Sequence, residues 1–304
     1  HIAIALLFMA PVMTAQETEQ KEERQKGHYN INKFRQLKQE LPTPNKQHTA
    51  SGAPGHEYTQ QKVDYKMKLT LDDNERRIYG EEQITYHNNS KDNLEYLWLQ
   101  LDQNVRAADS KTPDINGGGP SARYTPSQFT KSFMGKPFDG GFKIEHVTYA
   151  NGAPLSYTIN QTMMRINLPE PLASGETFEF NIKWWYNINN YFEVSGRSGY
   201  ESFPDGNNLY VIAQFFPRLC VYNNVEGWQN MQFWGRSEFA LEFGDYEVDI
   251  TTPADFILNG TGSLINAKDV LSRKQYQRYE QAKTTFDNPI YIVTPEEALE
   301  NEKS

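Results

Sequence analysis

The 304-residue chain is predicted to be all-β, an antiparallel β-sandwich with short helices near its two ends. Three observations predict this. Apolar residues recur with period two in segment after segment from Tyr58 to Ile250. Short turns rich in Asn, Asp, Gly and Ser separate those segments. Aromatic residues make up 13% of the chain, a share that suits strands, where flat rings lie well on a pleated surface. No internal repeat marks a propeller or a solenoid, so two packed sheets are the simplest way for these strands to bury their apolar faces.

The first strand has the cleanest signal. Val63, Tyr65, Met67, Leu69 and Leu71 alternate with Asp64, Lys66, Lys68, Thr70 and Asp72, which makes one face apolar and the other charged. The turn Asp73-Asn74-Glu75 leads into a less strict second strand with Ile78, Gly80, Ile84 and Tyr86. A third, Leu94 to Leu101, is apolar on both faces and is expected to be central. These three are expected to form one antiparallel meander. Residues 104–141, rich in Gly, Pro, Ser and Asp, are expected to be a long surface insertion. Their Gly117–Pro120 run is followed by no Gly-Lys-Ser/Thr and opens no helix, so it is not read as a phosphate cradle.

Strands resume at Phe142–Tyr149, followed by the hairpin signal Asn151-Gly152. Leu155–Ile159, Met163–Leu168 and the turn Ala173–Glu176 come next. The following strand places Phe178, Phe180, Ile182, Trp184 and Tyr186 on one face. Trp185 falls on the other, as a second-sheet contact or as an exposed ring for stacking a ligand. Tyr210–Ala213 is expected to be a buried strand. Phe239, Leu241 and Phe243 alternate with Glu238, Ala240 and Glu242, and Gly244-Asp245 is expected to turn the chain back into Tyr246, Val248 and Ile250 as a hairpin. Helical composition appears at Asp269–Lys283. Thr294-Pro295-Glu296-Glu297 has capping-box spacing with Pro at the first helical position.

The front of the chain has a different character. Ile2–Met9 is an apolar run too short to span a bilayer, followed by small residues up to Ala15. It has the form of a secretory signal (1–15) whose basic start is missing, with cleavage after Ala15. The mature protein is therefore expected to be exported to the periplasm, the cell surface or the medium, with no transmembrane segment. Residues 16–57 are expected to be a flexible leader with a short helix from Asn32 to Leu41 ended by Pro42, and 58–304 the sandwich.

Composition excludes several function classes. The net charge is −9 and the basic residues are scattered among acids, which argues against nucleic acid as a partner. Cys220 is the only cysteine, so neither a disulfide framework nor a cysteine zinc site exists; between Leu219 and Val221 it reads as a small buried hydrophobe. No His-Glu-x-x-His occurs: His56-Glu57 is followed by Tyr58-Thr59-Gln60. Ser195-Gly-Arg-Ser-Gly199 has the wrong order for a nucleophile elbow. The chain is expected to lack a catalytic centre, to hold no metal of its own and to be inactive alone.

One stretch offers a candidate site. Gln214 stands where the expected Tyr210–Ala213 strand leaves its sheet, followed by Phe215, Phe216, Pro217 and Arg218. Its amide can satisfy loop backbone groups, or it can present a donor and an acceptor to a bound peptide backbone. The residues alone leave both uses open.

Three segments carry a resemblance. They are YTQQKVDYKMKLTLDDNERRIYGEEQITYHNNSKDNLEYLWLQLDQN (58–104), QFFPRLCVYNNVEGWQ (214–229) and GRSEFALEFGDYEVDITTPADFILNGTG (235–262). In content and order they resemble the saddle-like N-terminal sandwich of aminopeptidase N-like zinc metallopeptidases of the gluzincin type, especially the secreted Bacteroidetes forms. The resemblance covers about 58–295. It implies a non-catalytic domain that docks a thermolysin-like catalytic domain and walls the cleft for the N-terminal residue of a peptide substrate. Gln214 matches the first Gln of the family's Thr-Gln-x-Glu/Gln motif, with Ala213 in place of Thr. Phe216 stands where the family often has a polar, amine-binding residue, which implies an apolar wall with the amine left to the catalytic domain. The zinc motif and the Gly-x-Met-Glu-Asn segment would lie beyond Ser304, so zinc is implied for the full-length enzyme only, and a closing strand after Pro295 is also missing.

The alternative is an exported aromatic-rich sandwich that binds carbohydrate or protein. It requires several of Trp98, Trp184, Trp185, Trp228 and Trp234 to face solvent together.

Overall fold

The computed structural model describes residues 44–301 except 117–122, 131–133, 135–137, 195 and 237–239. The expected signal segment, the helix of 32–41, the Gly117–Pro120 run and Phe239 lie outside the described residues. The chain divides between Tyr58 and Thr59. In the first part, residues 44–58 fold a turn on itself, closed by a backbone bridge between His48 and Pro54.

From Thr59 onward the fold is an all-β sandwich. Its first sheet has five strands in the order β13-β1-β2-β7-β4. These are β1 (Lys62–Asp72), β2 (Arg77–His87), β4 (Lys143–Tyr149), β7 (Thr177–Asn187) and β13 (Tyr246–Thr251). The second sheet has the order β10-β3-β6-β5, built from β3 (Leu94–Gln100), β5 (Tyr157–Asn160), β6 (Met163–Leu172) and the short β10 (Arg218–Leu219). Two small pairs complete the fold: β8 (Gly199–Ser202) with β9 (Asn208–Val211), and β11 (Tyr222–Asn223) with β12 (Gly227–Trp228).

The alternation in β1 does what period two requires. Val63, Tyr65, Met67 and Leu69 are buried, and their partners across the pairing with β2 include Tyr86, Ile84 and Gly80. The inward faces of both sheets meet in one core, with Phe180, Ile182, Trp184 and Tyr186 of β7 on one side and Leu97, Leu99, Met164 and Ile166 on the other. Gly80 is required there. A Cβ on it would lie 2.2 Å from the Trp184 ring, which crosses β2 at that point.

The expected meander is corrected. β1 and β2 pair as expected, but β3 belongs to the opposite sheet and the second neighbour of β2 is β7. Asn88 makes the crossover. It is fully buried, and its Nδ2 donates to the carbonyls of Asp92 at 2.8 Å and Leu172 at 2.9 Å, tying the end of β2 to the second sheet. At Asn151-Gly152 the chain does turn, with Gly152 at φ +85° and Leu155 N bonded to Val147 O. It then leaves for the second sheet, where β5 and β6 form the hairpin.

The expected buried strand at Tyr210–Ala213 is also corrected. β9 ends at Val211, pairs only with β8, and leaves Val211 53% exposed. The expected hairpin at Gly244-Asp245 does not form. β13 runs parallel to β1, with Tyr65 opposite Tyr246 and Thr70 opposite Thr251. Residues 243–245 already follow β1, since Val63 N bonds Phe243 O and Tyr65 N bonds Asp245 O, both at 2.9 Å. Gly244 permits that approach: a Cβ there would sit 1.7 Å from the Val63 carbonyl oxygen.

Near the end, helix starts with Ala267–Val270, breaks at an extended Leu271, and restarts as Arg273–Ala282 under a Ser272–Gln275 capping box. The expected capping box at Thr294 is present: Glu297 N donates to Thr294 Oγ1 and Thr294 N to Glu297 Oε2, opening Pro295–Asn301. No helix among the described residues is long and apolar enough to cross a membrane.

Candidate functional site

The site is organised by the 3-10 turn Asp102–Arg106 that follows β3. Asp102, Gln103 and Asn104 are buried although all three are polar, so each must find partners. Asp102 forms a buried ion pair with Arg218 of β10 and accepts from Gln100 Nε2 at 2.8 Å. Burial pushes the Asp102 carboxyl up to about 6 while Arg218 works against the rise. Gln103 Nε2 donates to two carbonyls, Ala213 at 3.1 Å and Gln214 at 3.0 Å. Its Oε1 accepts from Arg106 Nη1 at 2.8 Å, and a guanidinium can only donate, so the amide orientation is fixed. Asn104 Oδ1 accepts from Phe142 N at 2.8 Å. Consecutive side chains of one turn therefore grip both ends of the segment 213–218.

Within that grip Gln214 has φ +53°. This left-handed conformation is uncommon for a residue with a Cβ and costs on the order of 1–3 kcal/mol, sustained only when surrounding bonds impose it. The half-buried side-chain amide of Gln214 makes no hydrogen bond among the described residues. Gln103 is the residue that satisfies the loop carbonyls. Phe216 is half-buried and meets Tyr65 edge-on at 5.3 Å, Tyr246 at 6.2 Å and Phe215 at 5.0 Å. It thus joins β1, β13 and the loop. Gln214 and Phe216 lie on the same short loop, separated by Phe215.

The sequence did not single out Asp102, Gln103 or Arg106. Their only signal is a polar run directly after the apolar β3, which also describes an ordinary surface turn.

Elsewhere the polar side chains form networks that hold strands. On the outer face of the five-stranded sheet, Lys62 binds Asp64 at 3.0 Å and Asp245 at 2.8 Å, and His87 Nε2 lies 2.9 Å from Asp64. Burial disfavours the Asp64 carboxylate, but the Asp245 N–H, Lys62 and His87 together hold its pKa below the usual range. Further along, Lys183 pairs with Glu81 at 3.2 Å and Glu145 at 3.5 Å beside a shallow basin of about 500 Å³. Among the described residues no three His, Cys, Asp or Glu side chains are placed to hold a metal ion. Cys220 is 2% exposed and burial pushes its thiol up to about 12, as expected of an inert core residue.

The five tryptophans do not form an open platform. Trp184 is buried and the other four are half-buried. Trp185 is neither a second-sheet contact nor an open ring: it lies on the outer face, with the Arg77 guanidinium 4.7 Å above it and Tyr79 at its side.

No protein-family model matches the chain, and no curated protein matches it. Solved structures do. The M1 zinc metallopeptidase from Deinococcus radiodurans aligns with 64% of this chain and 33% of its own, at 15% identity and a TM-score of 0.33. A mutant two-domain M1 zinc metallopeptidase bound to L-tryptophan aligns with 67% of this chain and 35% of its own, at 15% identity and a TM-score of 0.32. The chain spans about a third of the length of these structures. Likeness at this level does not assign an activity.

Proposed function

We propose that this chain is the non-catalytic N-terminal sandwich of an exported zinc aminopeptidase. In this reading it docks a thermolysin-like catalytic domain and walls the cleft that receives the N-terminal residue of a peptide. The observation that carries the reading is Gln214, a strained residue whose main chain is pinned by Gln103 while its side chain makes no hydrogen bond among the described residues. Strain concentrates where geometry serves a ligand, and a free amide can donate to and accept from a peptide backbone. Phe216 supplies an apolar wall beside it, and recognition of the substrate amine falls to the catalytic domain.

The order of the resembling segments supports the same assignment, with zinc and its activated water residing in the catalytic domain. Purified residues 16–304 should bind no zinc and hydrolyse no aminoacyl anilides. Robust hydrolysis by that polypeptide would overturn the proposal.

A further inference from the structure

We infer that β13 is a docking edge for an extended segment of another polypeptide, one that alternates apolar and basic residues. Among the described residues β13 is the outermost strand of its sheet, with β1 on one side only. The bonds from Val63 N to Phe243 O and from Tyr65 N to Asp245 O set the phase of the parallel ladder. Odd-numbered residues of this strand turn their main-chain groups toward β1. Tyr246, Val248 and Ile250 therefore turn theirs to the open edge, where a further strand can bond to them.

The side chains say what kind of strand. Tyr246, Val248 and Ile250 face the core side yet remain 49%, 38% and 45% exposed, because the opposite sheet ends at the two-residue β10. An incoming strand would cover this row with its own apolar residues. Glu247 and Asp249 point to the other face. Lys66 and Lys68 are their register neighbours, but no ion pair reaches either carboxylate among the described residues. A strand carrying Lys or Arg at those positions would supply cross-strand charge pairs. A second copy of this chain fits badly: pairing β13 with itself, antiparallel and with matching faces, sets Glu247 and Asp249 against acids. Main-chain bonds with side-chain pockets at alternate positions are the general mode of strand addition.

The inference does not depend on Gln214 or on peptidase function. Its test uses fluorescence anisotropy at low salt, with the full chain and three labelled heptapeptides: alternating valine and lysine, alternating valine and glutamate, and a scrambled valine–lysine peptide. The alternating valine–lysine peptide should bind at least about tenfold more tightly than either of the others. Val248→Pro removes an outward N–H and leaves the β1 ladder intact, and should weaken binding about tenfold with an unchanged circular dichroism spectrum. Should that variant fail to fold, a valine–lysine peptide N-methylated at alternate residues replaces it and should bind correspondingly weakly. Replacing both Glu247 and Asp249 by Lys should invert the preference between the lysine and glutamate peptides. Equal binding of the scrambled peptide, indifference to both backbone blocks, or no binding would overturn the inference. So would concentration-dependent dimerisation of the chain that Val248→Pro abolishes, since the occupant would then be a second copy.

Discussion

The side-chain amide of Gln103 donates to the carbonyl of Gln214 at 3.0 Å, across 111 positions of sequence, and Gln214 answers with a left-handed backbone. The loop conformation is thus imposed by a partner in a different strand connection. Two consequences can be measured by urea denaturation. Gln214→Gly should stabilise the fold by about 0.5–1 kcal/mol, because glycine adopts positive φ without the Cβ penalty. Gln103→Met should destabilise it by about 1–3 kcal/mol, since two loop carbonyls and Arg106 each lose a bonding partner.

The Asp102–Arg218 pair holds the other end of the same loop. Removing one member leaves an uncompensated buried charge, so Arg218→Met should cost about 3–5 kcal/mol. Adding Asp102→Asn to that variant should recover part of the loss. Additive losses in the double-mutant cycle would contradict direct coupling.

Glu82 sits at an inward position of β2, 2% exposed, and neither carboxyl oxygen has a hydrogen-bond partner among the described residues. Burial pushes its pKa well above the usual range, and the nearby Trp184 indole acts in the opposite direction. A raised folded-state pKa means the folded chain holds the proton more tightly than the unfolded one. The stability linked to Glu82 is then fully present below the unfolded value of about 4.3 and falls as pH rises toward the folded value. Glu82→Gln should remove that decline from unfolding free energies measured between pH 5 and about 8. An unchanged pH profile would show that Glu82 has a partner that neutralises it.

Gly244 lets residues 243–245 lie against β1. Gly244→Ala should destabilise the fold by about 1–3 kcal/mol through overpacking against Val63. Amide exchange in β13 should rise more than in β2, because the loss begins at the strand's entry.

What was legible in the sequence follows from the range of each interaction. The alternation of β1 and the capping box at Thr294 are local, and both appear where their residues require. The placement of β3 was not legible: the buried side chain of Asn88 sends the chain across, and it looks like any loop asparagine. Gly244-Asp245 carries the chemistry of a hairpin turn, yet the parallel partner of β13 lies some 180 positions earlier, at Lys62–Thr70. Gln214 was recognisable as a polar residue in an apolar setting. Its strain and the clamp of Gln103 and Arg106 depend on contacts that no spacing encodes.

Gln214 is proposed to face a peptide substrate in a cleft completed by a zinc-bearing domain. The most direct test is steady-state hydrolysis of aminoacyl anilides by the intact protein expressed from its native gene, wild type against Gln214→Ala. Zinc-dependent hydrolysis by the wild type is expected, with KM raised about three- to tenfold in the variant and kcat little changed, as follows from loss of one ground-state hydrogen bond. Absence of hydrolysis by the intact wild-type protein, or an unaltered KM in a correctly folded Gln214→Ala variant, would contradict it.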